Sequence, residues 1–136
     1  MDRYFALSRQ RLRPKVVAYA QFIRERTPKD AVFVAGREAA SWIPALTGRR
    51  VLLAEGGRLM PPDKDERKNV ERTLLLSDDP GKIRGAALRY GVTHLAIDDA
   101  LVQEYGVGGF DELAKGPMFK TVYLNSAGRI VALELQ

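Results

Sequence analysis

The sequence predicts a three-layer, Rossmann-like α/β domain, with a mainly parallel sheet of about three buried strands and a C-terminal antiparallel β-hairpin. Three observations predict it. Short strand-like runs at residues 31–35, 50–53 and 92–97 alternate with segments of helical periodicity, and such alternation, joined by right-handed crossovers, builds a parallel sheet covered on both faces. Two β-rich runs then close the chain around Asn125-Ser126-Ala127-Gly128, a four-residue turn with glycine at its end. A length of 136 residues, 46% apolar and 29% charged, fits one folded domain and is too short for two good cores.

Residues 1–13 read as a basic N-terminal leader and residues 14–136 as a single domain, because no repeat, low-complexity tract or Ser/Gly linker divides the chain. The first helix is expected over residues 14–27. Val16, Ala20, Ile23 and Thr27 recur at helical spacing with Tyr19 beside them, while Arg24 and Arg26 point away. Pro28 stops that helix. The uncharged run AVFVA at 31–35 reads as a strand buried on both faces. A helix starting near Arg37 meets Pro44, whose ring would clash with the Ala40 carbonyl. Two short turns joined at Ile43-Pro44 are therefore expected, with Gly48 as left-handed cap. Residues 50–53 make a second strand, and residues 54–62, rich in Gly and Pro, an irregular loop. Residues 63–77 form a charged helix with Val70 and Leu74 on its buried side. Asp79 then caps a helix with Pro80 at its first position, with Ile83, Ala86, Ala87 and Tyr90 as apolar face and Gly91 as its end. The third strand spans 92–97. Asp98 or Asp99 caps a short helix to about Tyr105, residues 110–115 add a turn, and strands at 118–124 and 129–135 form the hairpin.

Composition excludes several chemistries. The longest uncharged run, residues 39–48, has ten residues, half of the roughly 20 a bilayer-spanning helix needs, and no signal-peptide pattern opens the sequence. With no cysteine and one histidine, disulfides, thiolate zinc sites and multi-histidine sites are excluded, and no metal or cofactor is expected. The net charge of +5 is uneven: residues 1–29 hold eight Lys and Arg against two acids, +6, and the remainder is −1. The cluster Arg9, Arg11, Arg13 and Lys15 suits phosphates of lipid or nucleic acid, or is simply solvated. The rest of the chain offers no basic stripe, so nucleic acid is not an expected partner.

In a doubly wound sheet, ligands sit beyond the carboxyl ends of the strands. Here those positions are Gly36-Arg37-Glu38, residues 54–58 and Asp98-Asp99. Gly36 leaves free amides at a helix start, where an anion can sit, but G-x-G-x-x-G and the P-loop pattern are both absent and nucleotide binding is unsupported. The candidate ligand-binding residues are Arg37, Trp42, Arg49, Arg58, Asp98 and Asp99. The guanidiniums would clamp a phosphate or carboxylate, unless they pair with nearby acids. Trp42 would line a pocket or partner surface, unless it packs in the core. Asp98 and Asp99 would act as a general base or hold a cation, unless they cap a helix. No catalytic residue is assigned: His94 sits in a buried strand, Ser41 has no base close in sequence, and no G-x-S-x-G is present.

Three stretches, AQFIRERTPKDAVFVA at 20–35, SWIPALTGRRV at 41–51 and RYGVTHLAID at 89–98, resemble phrases in the soluble C-terminal domains of polytopic bacterial membrane proteins. These proteins are similar to glycosyltransferases of the mannosyltransferase and aminoarabinose-transferase type, which use polyprenyl-phosphate-linked sugars. The resemblance spans roughly residues 18–135. It implies a non-catalytic, extracytoplasmic accessory domain that binds or positions an acceptor, sugar, lipid-linked sugar or partner, with the membrane-embedded remainder of the parent protein as its neighbour. The family's catalytic carboxylates lie in that embedded part, so none transfers here. The basic cluster points the other way, since positive charge beside a membrane helix favours the cytoplasmic side. The alternative is a free-standing small α/β enzyme or binding protein for an anionic, phosphorylated small molecule, built on the same arginines and the Asp98-Asp99 pair.

Overall fold

The computed structural model describes residues 14–53 and 62–135. The expected leader, Arg58 and most of the Gly/Pro-rich loop lie outside the described residues. In chain order the elements are α1 (Pro14–Arg26), β1 (Val32–Ala35), α2 (Arg37–Thr47), β2 (Arg50–Val51), α3 (Lys64–Leu76), α4 (Pro80–Tyr90), β3 (His94–Asp98), α5 (Asp99–Glu104), a 3₁₀ turn (Phe110–Glu112), β4 (Phe119–Asn125) and β5 (Gly128–Leu133).

One five-stranded sheet runs in the order β2-β1-β3-β5-β4. β1 is parallel to β2 and to β3, with Val34 opposite Leu95. β5 is antiparallel to both β3 and β4, with Leu95 opposite Val131. The sheet is therefore mixed and not mainly parallel. Burial explains the difference. Ile130 and Val131 of β5 are fully buried on opposite faces, so β5 takes an interior place along the whole of β3. β2 is only two residues long, with Arg50 exposed, and sits at the edge.

Alternation along the strands feeds two cores. Phe33, Ala35, Ala96 and Ile130 face Tyr19 and Ile23 of α1 and Ala39, Ala40 and Ile43 of α2. Val34, Leu95, Ile97 and Val131 face Val70, Leu74 and Leu75 of α3, Ile83 and Ala87 of α4, and Leu101 of α5. Each large aliphatic side chain so buried contributes about 1.5–3 kcal/mol. No described helix is long and apolar enough to cross a membrane.

Pro44 does not split α2, which runs unbroken from Arg37 to Thr47. The stripe of Ala39, Ala40, Ile43 and Thr47 is buried, and that packing outweighs one missing hydrogen bond three residues from the helix end. Gly48, at φ 73°, closes it by donating to the Pro44 carbonyl at 3.0 Å. Asp79 caps α4, its Oδ1 accepting from the Gly81 amide at 2.9 Å.

The order β2-β1-β3 makes the chain turn one way after β1 and places β3 on the other side. Between the carboxyl ends of β1 and β3 the connections diverge, and a crevice opens there.

Candidate functional site: a cleft at the ends of two parallel strands

That crevice is a cleft of about 650 Å³, within the range of small-ligand pockets, roughly 300–1,000 Å³. α1 contributes Lys15 and Tyr19, α2 contributes Glu38 and Trp42, and the β3–α5 junction contributes Asp98, Asp99 and Gln103. The β4–β5 turn closes it with Ser126 and Ala127. Glu38 and Trp42 are four residues apart on α2, as are Asp99 and Gln103 on α5, the spacing that aligns side chains on one helix face.

Local sequence fixes the walls. A Cβ at Gly128 would lie 2.5 Å from the Ile97 carbonyl oxygen and 3.1 Å from the Tyr19 ring, so glycine lets the hairpin close against β3 and α1. Asn125 holds the turn: its Oδ1 accepts from the Ala127 amide at 2.7 Å, and its Nδ2 donates to the Lys15 carbonyl at 3.0 Å. The Tyr19 hydroxyl donates to the Arg129 carbonyl at 3.1 Å. Its ring meets Trp42 edge-on, with centroids 6.1 Å apart, and stacks on Tyr123.

The cleft is acidic, with Glu38, Asp98 and Asp99 against Lys15. Asp98 is the cap of α5, accepting from the Leu101 amide at 3.0 Å. Burial pushes its carboxyl above the usual range and the charges of Glu38 and Asp99 push it further, against the pull of the Leu101 amide. The Tyr19 phenol is raised by burial and then by Asp98. Among the described residues no group of three or more His, Asp or Glu side chains could hold a metal ion.

The far end of α5 is anchored to α3. Glu71, 3% exposed, accepts from the Tyr105 hydroxyl at 2.5 Å and from Lys68 Nζ at 2.9 Å, and Lys68 also pairs with Glu104. Burial raises the Glu71 carboxyl. Burial alone would lower the Lys68 ammonium, but Glu104 and Glu71 hold it above its ordinary value.

Of the six candidates, Trp42, Asp98 and Asp99 meet in the cleft. Arg37 opens α2, is exposed, and does not line the cleft. Arg49 lies at the opposite, amino-terminal end of the parallel strands and is buried. Its guanidinium donates to the carbonyls of Arg24, Thr27 and Thr47 at 2.7, 2.9 and 2.8 Å and to the Thr27 hydroxyl at 3.1 Å. These bonds tie together the carboxyl ends of α1 and α2, where the helix dipoles favour a cation. His94 is at that end too, its Nδ1 2.7 Å from the Thr93 hydroxyl and its ring stacked on Phe33. Burial lowers its pKa and keeps it neutral. Ser41 bonds the Glu38 carbonyl at 2.6 Å.

Glu38, Tyr19 and Gln103 are site residues that the candidate set omits. The four-residue spacings from Glu38 to Trp42 and from Asp99 to Gln103 carry a signal for two of them. Tyr19 joins the cleft through the hairpin contact, which nothing local in sequence announces.

No protein-family model matches the chain, and no curated protein matches it. Among solved structures, the fold is similar to the C-terminal globular domain of an oligosaccharyltransferase from Archaeoglobus fulgidus, with a TM-score of 0.61 and 8% sequence identity, over 89% of this chain and 97% of that one. At that identity the likeness is one of fold.

Proposed function

We propose that the chain is a non-catalytic accessory domain of a membrane-embedded glycosyltransferase-like protein of the type that uses polyprenyl-phosphate-linked sugars. It stands on the extracytoplasmic face and positions an acceptor, a sugar or a partner in the cleft between β1 and β3. The observation that carries this reading is the cleft itself, concave and lined by the aromatic rings of Tyr19 and Trp42 and the acids Glu38, Asp98 and Asp99, at the site where layered α/β sheets bind ligands. We read the β2-β1-β3 half, with helices on both faces, as a Rossmann-like unit. The similar fold of a globular domain from an oligosaccharyltransferase supports the membrane-glycosyltransferase setting.

The geometry favours positioning over catalysis. His94 and the cleft carboxylates occupy opposite ends of β3, and the Tyr19 hydroxyl is engaged by the Arg129 carbonyl. A free-standing site for an anion is disfavoured, because the cleft gathers carboxylates while Arg37 and Arg49 lie outside it. The test is a reporter fused after Gln136 in the full-length encoded protein. An extracytoplasmic signal, together with no glycosyl transfer by the 136-residue chain alone, agrees with this reading. A cytoplasmic signal, or transfer by the chain alone, overturns it.

A further inference from the structure

We infer that the cleft recognises an organic cation, the guanidinium or ammonium of a basic peptide segment on the acceptor or partner. This rests on the reading that the cleft is the binding site, and adds the chemical class of what enters it.

Three features of the cleft point the same way. Among the described residues its charged lining is Glu38, Asp98 and Asp99 against one cation, Lys15, an excess of negative charge that repels phosphate and attracts a cation. Glu38 and Asp99 are exposed, unlike Glu71, whose charge is met by Lys68 and Tyr105. Trp42 lines the same wall, held edge-on by Tyr19, and an indole is the strongest of the aromatic partners for a cation. No group of three described carboxylates could hold a metal ion, whereas a planar guanidinium or a long-stemmed ammonium can meet acids from both α2 and the β3–α5 junction while its stem lies along the ring. A neutral sugar would also find a ring and acceptors here, but it gains nothing from the surplus charge.

The test uses the 136-residue chain and the fluorescence of Trp42, its sole tryptophan. The probes are acetyl-Gly-Arg-Gly-amide, its lysine counterpart, its neutral citrulline counterpart and methyl glucoside. The arginine and lysine peptides are expected to titrate Trp42 at least about tenfold more tightly than the citrulline peptide. The double variant Glu38→Gln, Asp99→Asn is expected to weaken them about tenfold with its melting temperature unchanged, because both side chains are exposed. Equal binding of the citrulline peptide, or indifference to the double variant, overturns the cationic class. Binding of methyl glucoside alone also overturns it, while leaving the cleft as the binding site. No response to any probe counts against both.

Discussion

Arg49→Met removes the guanidinium and keeps most of the side-chain volume. Four side-chain hydrogen bonds disappear, three of them to carbonyls at the ends of α1 and α2. A hydrogen bond from a charged donor contributes about 1.5–3 kcal/mol net, and a buried acceptor left unmet costs about 1–3 kcal/mol. These terms overlap, and the carbonyls near the chain surface recover water, so the loss is about 3 kcal/mol in total. Unfolding entropy of roughly 2.1 cal/mol/K per residue converts this to a fall in Tm of about 10 °C. Arg50→Met, one residue on and exposed, should move Tm by less than about 2 °C, as surface changes usually stay within about 0.5 kcal/mol. Thermal unfolding followed by circular dichroism reads both. A role for Arg49 in ligand binding alone predicts the reverse, an unchanged Tm, and an Arg49→Met curve within about 2 °C of the parent would show that the guanidinium does not hold the two helix ends together.

Three more outcomes follow from particular contacts. Gly128→Ala forces a Cβ against the Ile97 carbonyl and the Tyr19 ring and should cost about 1–3 kcal/mol; an unchanged denaturant midpoint would show that the hairpin has room to shift. Asp79→Ala removes the cap of α4 and should cost about 1 kcal/mol, with Asp79→Asn recovering most of it in urea titrations. His94 has its folded pKa below the ordinary 6.5, so the unfolded chain binds the proton first and stability falls as pH drops below about 6.5. Relative to His94→Gln, the parent should therefore lose Tm between pH 7.5 and pH 5; a constant difference would contradict neutral burial of the ring.

What was legible in the sequence was what local chemistry writes there. The uncharged run around Phe33, the cap–proline pair Asp79-Pro80, and the turn at residues 125–128 each specify their element within a few residues, and each element forms there. Pro44 misleads because its local penalty is real but smaller than the burial of Ala39, Ala40 and Ile43 around it. The mixed sheet is hidden because strand order depends on which runs bury both faces: β5 does and lies inside the sheet against β3, while the two-residue β2 lies at its edge. The site was half visible. Trp42, Asp98 and Asp99 follow from strand ends and helix starts, which sequence marks. Arg49 looked like its exposed neighbour Arg50, and only the convergence of two helix ends on it, set by tertiary packing, distinguishes them.

The proposed ligand site lies over the carboxyl ends of β1 and β3. Backbone amide shift mapping by NMR tests it most directly, using the 136-residue chain titrated with basic peptides and glycosides. Shifts are expected to gather at residues 36–42, 98–103 and 126–128, with the Trp42 indole among the largest. Shifts that gather instead around Arg49 and His94, at the other end of the sheet, would contradict it.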